Sequence, residues 1–161
     1  MTRYARFATA LGPMYATAQD DAVTGIYFEG ARHAPSPAPD WIEDAALPVL
    51  RECARQVAEY CDGRRREFTL PFAPRGTAFQ RAVWDAIAHI PYGATVAYAQ
   101  LAAAAGCAGS ARAAGAATGR NPLTLVVPCH RVVGSDGALT GYAGGVERKR
   151  ALLALERAAR A

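Results

Sequence analysis

A chain of 161 residues and 17.0 kDa, 52% hydrophobic and 20% charged, has the composition of an ordinary globular protein, one compact unit or two small domains. It contains no apolar run of about eighteen residues, which excludes a membrane-spanning helix, and Met1–Phe7 lacks the apolar stretch of a secretory signal, so a cytoplasmic location is expected. The positive charge is almost wholly arginine, Lys149 being the only lysine; the net charge of +4 permits a polyanionic partner without requiring one.

The first thirty residues read as short strands, Tyr4–Leu11, Met14–Gln19 and Gly25–Glu29, divided by Gly-Pro and Asp-Asp turns. Three prolines between 34 and 39 make a stiff connecting loop. Leu47, Leu50, Ala54, Val57 and Ala58 recur at helical spacing and predict a helix over about 44–60, ended by Asp62-Gly63. Cys53 and Cys61 fall on it and are expected to pack as small hydrophobes. A short strand over 68–71 follows. Pro71, Pro74 and Gly76 then mark a boundary between domains 1–75 and 76–161.

Beyond that boundary the texture is short helices and tight turns. Phe79–Ile90 is amphipathic through Phe79, Val83, Trp84 and Ile87 and stops at Pro91-Tyr92-Gly93. Thr95 is expected to cap a helix over 96–105, and Ser110 another running to about Arg120, before Asn121-Pro122. Helix, glycine-containing turn, helix is the helix-turn-helix pattern; strands over 123–127 and 131–133, with a turn at Ser135-Asp136-Gly137, would add a wing. A helix that reads bases carries several Asn, Gln, Arg or Lys side chains on one face. Here Arg112 alone heads a run of alanine and glycine. That surface suits close approach to a sugar-phosphate backbone, and its two glycines cost the helix roughly 2 kcal/mol relative to alanine. An alanine face packed on a neighbouring helix explains the same composition.

Four cysteines, Cys53, Cys61, Cys107 and Cys129, are too few for a disulfide-stapled fold and are expected to be reduced. No C-x-x-C occurs, and His33, His89 and His130 lack ligand spacing, so no metal and no cofactor is expected.

The segment Val127-Pro128-Cys129-His130-Arg131-Val132-Val133 carries the chemistry. Only a thiolate is a strong nucleophile, and His130, with an ordinary pKa of about 6.5, can take the thiol proton directly or through a water. A final helix over 146–157 puts Glu156 one turn after Leu152 and Leu153 and two turns after Lys149, leaning toward the apolar face. Cys129, His130 and Glu156 then form a set of nucleophile, base and orienting carboxylate. Taken alone, the residues also allow a cysteine hydrolase, or a winged-helix damage-binding protein whose Cys129 is structural.

Val127 to Val132, together with Asn121-Pro122, resembles the active-site signature of the O6-alkylguanine-DNA alkyltransferases. The similarity runs from about Gly76 to Glu156 through Phe79-Gln80, Trp84, Pro91-Tyr92-Gly93, Tyr98–Ala102, Arg112-Ala113, Tyr142–Gly145, Lys149 and Leu152-Leu153. Residues 1–75 carry no diagnostic motif. The resemblance implies an α+β protein: a small N-terminal α/β domain of antiparallel strands plus a helix, then a mainly helical, winged helix-turn-helix-like domain. It implies irreversible, single-turnover transfer of an alkyl group from O6-alkylguanine, with O4-alkylthymine a further candidate, to Cys129.

In that scheme His130 is the base, Glu156 orients it, Asn121 holds the active-site turn and Tyr98 donates to the departing guanine. Val132, Tyr142, Ala143 and Lys149 line the base pocket. Arg112 enters the duplex where the base is flipped out, and Ser110, Ala113, Gly115 and Ser135 contact DNA. The partner is double-stranded DNA, bound through the minor groove without sequence preference by a monomer, with cooperative binding left open. Ala143 stands where some members have serine, which removes a side-chain hydrogen bond to the base.

Overall fold

A computed structural model describes residues 1–160. They divide into two compact units, one of 1–75 with 122–124, the other of 76–121 with 125 onward.

In the first unit β1 (Arg3–Phe7), β2 (Met14–Gln19) and β3 (Ala22–Phe28) pair antiparallel in sequence. β4 (Ile42–Glu43) adds to β1 in parallel, giving the sheet order β3-β2-β1-β4. Asp20 and Asp21 both take positive φ, 50° and 64°, and close the two-residue hairpin that joins β2 to β3. That turn starts β3 at Ala22, earlier than the Gly25 expected from sequence. The expected first strand is likewise shortened, because Thr9 and Gly12 close a turn on each other.

The cross-strand row Met14–Phe28, Ala16–Ile26 and Ala18–Val23 is buried. Helix α1 (Pro48–Cys61) packs against β1, β2 and β3 through a buried stripe that includes Leu50, Cys53, Val57 and Tyr60. It begins four residues later than the spacing suggested. Residues 42–44 are taken into the sheet instead: Asp44 N–H donates to the Tyr4 carbonyl, and its carboxylate pairs with Arg3 at 2.9 Å. Pro48 then opens the helix without needing a backbone donor. The expected strand over 68–71 is absent. The Gln56 side chain pins that segment at Thr69 N and Oγ1, and a single parallel bridge joins Val23 to Phe72. Leu123 makes another single bridge to Ile26.

The second unit is mainly helical. Thr77 and Gln80 form a reciprocal capping box at the start of α2 (Ala78–Ala88). Trp84 of α2 donates from Nε1 to the Ala117 carbonyl of α4 at 2.8 Å. A Cβ at Gly76 would lie 2.4 Å from the Trp84 ring, so that position requires glycine.

Val96 and Ala97 form a strand, β5, and α3 (Tyr98–Ala104) starts after it. The expected Thr95 cap is therefore wrong: Ala97 is the cap residue, its N–H satisfied by Gln100 Oε1 at 2.8 Å. Gly106 and Gly109, φ 80° and 86°, turn the chain into α4 (Ala111–Gly119). Ser110 sits at the N-cap position of α4, but its side chain makes no capping bond, contrary to expectation. α2, α3 and α4 pack together, and α3–turn–α4 is the helix-turn-helix. Where strands over 123–127 and 131–133 were expected, the chain forms a turn, a 3₁₀ turn at Cys129–Arg131, and the short strand β6 (Val132–Val133). β6 pairs in parallel with β5. The Ser135-Asp136-Gly137 turn is present, closed by Gly134 N–H to the Ala138 carbonyl. Helix α5 (Val146–Arg160) completes the unit.

Candidate active site

Cys129 stands at the start of the 3₁₀ turn and is 7% exposed. The turn before it is unusual: Leu125 is buried yet has φ 76°, the left-handed region that bulky side chains rarely enter. Asn121 braces that turn, donating from Nδ2 to the Val127 carbonyl at 2.8 Å and toward Cys129 Sγ at 3.4 Å. Burial pushes the Cys129 thiol above its ordinary pKa. Asn121, Lys149 and the backbone N–H groups of Cys129 and His130 act the other way.

His130 and Arg131 meet on one carboxylate. Glu156 of α5, with no exposure, accepts from His130 Nε2 at 2.6 Å, Arg131 Nε at 2.8 Å, Arg131 Nη2 at 3.1 Å and Gly93 N–H at 3.1 Å. A carboxylate only accepts, so the imidazole proton sits on Nε2 and Nδ1 keeps a lone pair. Nδ1 is buried and has no protein hydrogen-bond partner. Burial pulls the His130 pKa below its ordinary value; Glu156 opposes this, while Arg131 and Lys149 add to it. The imidazole is therefore held neutral, with its acceptor nitrogen unspent.

Lys149 is a fully buried ammonium whose three N–H bonds reach carbonyls: Val132 at 2.6 Å, Thr140 at 2.9 Å and Gly141 at 3.4 Å. It ties β6 to the glycine-rich segment that carries half-buried Tyr142 and Ala143. Burial lowers its pKa, and Cys129 acts to raise it. Tyr98, at the start of α3, hydrogen-bonds the Thr140 side chain; burial first, and Cys129 second, raise its pKa.

On α4, Arg112, Ala113 and Ala116 are exposed, as is Ser110 before it. Gly115 lies where a Cβ would be 3.8 Å from the Tyr98 ring, an ordinary contact, and a Cβ at Gly119 would touch nothing within 4 Å. Neither glycine is needed for packing within the protein. Ser135 is exposed in its turn. Charge is divided unequally: residues 1–75 hold nine basic and ten acidic side chains, and residues 76–161 nine basic and four acidic. The whole positive excess thus lies in the second segment. Among the described residues no group of three His, Cys, Asp or Glu could hold a metal ion.

The structure thus gathers Cys129, His130, Glu156, Asn121, Tyr98, Val132 and Lys149 within one unit. Sequence reasoning gave no role to Arg131 or to the Gly93 amide. Arg131 was visible as an arginine set between His130 and two valines, a position where a guanidinium needs a buried partner.

Residues 78–158 match the model of the 6-O-methylguanine DNA methyltransferase DNA-binding domain, and residues 2–74 that of the ribonuclease-like domain of the same proteins. The chain belongs to the 6-O-methylguanine DNA methyltransferase family. Within that family it is similar to the methylated-DNA–protein-cysteine methyltransferase of Methanosarcina barkeri, 42% identical over 91% of each chain. The constitutive enzyme of Bacillus subtilis is 39% identical over 98% of this chain and 96% of its own length. The Mycobacterium tuberculosis enzyme, solved in complex with DNA, superposes with a TM-score of 0.88 at 37% identity, over 98% of this chain and 94% of that one. The two-part α+β architecture expected from sequence agrees with these relatives. No helix of the described residues is long and apolar enough to cross a membrane.

Proposed function

We propose that this chain repairs alkylated DNA by direct reversal, moving an alkyl group from O6 of guanine in a duplex to Cys129, once per molecule. The observation that carries this reading is a buried thiol flanked by Asn121, Lys149 and the His130–Glu156 pair. His130 takes the thiol proton at Nδ1, directly or through a water. Glu156 holds the ring in the required tautomer, and the buried Lys149 cation compensates the thiolate.

The thiolate attacks the alkyl carbon, an S–C bond forms and the C–O bond breaks, and the electron pair leaves with the guanine. Tyr98, a phenol protonated at neutral pH, donates to the departing base. The product is a thioether, which no group in the site readily reverses, so each molecule acts once. The carbon is unreachable in stacked DNA, and the base must be flipped out at a cost of a few kcal/mol.

Arg112 takes the vacated space, and α4 lies in the minor groove with Ser110, Ala113 and Gly115 against the backbone and Ser135 nearby. The small side chains of α4, and two glycines that the protein's own packing does not require, support this placement. Residues 76–161 act as the DNA-binding and transfer domain, residues 1–75 as its support. A cytoplasmic location suits a thiol that must stay reduced.

Intact-mass measurement after incubation with O6-methylguanine duplex is the test. We expect one added methyl, in at most stoichiometric yield, and none in Cys129→Ala. Tight DNA binding without any mass change would make the protein a damage-binding module instead. Arg112→Ala should slow repair in duplex far more than reaction with free O6-benzylguanine; equal losses would remove Arg112 from its role.

A further inference from the structure

We propose that Arg131 is a positioning residue for the base: by occupying both oxygens of Glu156 it keeps His130 a neutral proton acceptor. The proposal rests on reading Cys129 and His130 as nucleophile and base.

A buried carboxylate beside an imidazole normally favours the charged imidazolium, because it stabilises the added proton. Glu156 is not free to act in that way. Arg131 Nε holds Oε1 at 2.8 Å, and Nη2 holds Oε2 at 3.1 Å, the same oxygen that His130 Nε2 reaches at 2.6 Å. The guanidinium thus spends much of the carboxylate's charge and opposes a second positive charge on the ring. Its third contact, Nη1 to the Ile90 carbonyl at 2.7 Å, and its placement 5.4 Å over the Tyr92 ring fix it from the other side.

The groups around His130 are few. The 3₁₀ turn supplies Cys129 and Arg131, and α5 supplies Lys149 and Glu156. The 91–93 segment supplies Tyr92, under the guanidinium, and the Gly93 amide; Tyr98 of α3 feels the charge of Cys129. With the thiol neutral, only Glu156 among the described residues favours the imidazolium; burial, Arg131 and Lys149 all disfavour it. Lys149 spends its three N–H bonds on carbonyls, which leaves Arg131 as the cation that shares the carboxylate with the ring. A lysine at 131 would keep the charge but could not bridge both oxygens in a planar fork.

The histidine side-chain signals of the full chain, only three in number, can be followed by NMR against pH in the wild type, Arg131→Met and Arg131→Lys. The pH profile of methyl transfer is recorded beside them. We expect the His130 midpoint to rise by about one pH unit or more in Arg131→Met, and by less in Arg131→Lys. The acid limb of the transfer rate should move by the same amount. An unmoved midpoint, with transfer slowed by one factor at every pH, would make Arg131 a packing residue and overturn the proposal. Should Arg131→Met fail to fold in a thermal melt, Arg131→Lys decides: a midpoint equal to wild type overturns it. The titration needs no DNA. A wild type that never takes up a methyl would therefore sink the repair reading while leaving the His130 result intact.

Discussion

Both units of this protein bury cysteines, and only one of them makes a buried cysteine useful. Cys53 and Cys61 lie on α1, and burial pushes their pKa values up to about 12 and about 11, for Cys61 against a single Thr9 hydrogen bond and with neither a cation nor a base acting on it. Burial pushes Cys129 up as well, but Asn121, Lys149 and two backbone N–H groups pull against it, and a neutral imidazole is the next residue. The difference lies in the neighbours and not in exposure, since all three thiols are buried. A thiol becomes a reagent where a donor, a cation and a base have been brought to it. The division of charge follows the same line, the positive excess lying in the segment that holds Cys129.

Cys129 should lose most of its advantage over the other thiols when its neighbours are removed. His130→Gln or Glu156→Gln should slow methyl transfer by about 10²–10⁴-fold at neutral pH, read by quenched-flow intact mass. Glu156→Gln also leaves the Arg131 guanidinium buried without its carboxylate, so we expect a stability loss of about 3–5 kcal/mol in denaturant melts. Asn121→Ala should cost less, about 1–3 kcal/mol, and raise the Cys129 pKa further, seen as a shift of the alkaline limb of iodoacetamide reactivity.

The two regions should also part in their pH dependence. His130 has a folded pKa below its ordinary value, so its contribution to stability is full above about pH 6.5 and is lost as pH falls. His130→Gln should flatten that acid loss. Cys53 and Cys61 have folded pKa values above 9.0, so their contribution is full below pH 9.0 and is lost as pH rises toward about 11–12. Cys53→Ala should reduce that alkaline loss, cost about 1 kcal/mol at neutral pH and leave methyl transfer unchanged.

The reactive segment was legible from sequence because its chemistry is local: cysteine, histidine and a preceding proline lie side by side, and helical spacing turns Glu156 inward. The helix-turn-helix was legible through glycines that only a turn requires. What stayed hidden depended on distant pairing. Residues 42–44 pair with β1 across about forty residues, which delays α1 and defeats a spacing argument. Val96 and Ala97 read as the start of a helix until β6 takes them as a strand partner. Arg131 read as an ordinary motif residue because the carboxylate it shares lies 25 positions away, and no periodicity signals sharing.

The most direct test of the contrast between thiols is peptide mapping of the wild-type chain after one exposure to O6-methylguanine duplex. We expect a single methyl, all of it on Cys129, with Cys53, Cys61 and Cys107 unmodified. Methyl spread over several cysteines, or found on Cys53 or Cys61, would contradict the claim that the neighbours of Cys129 make it the acceptor.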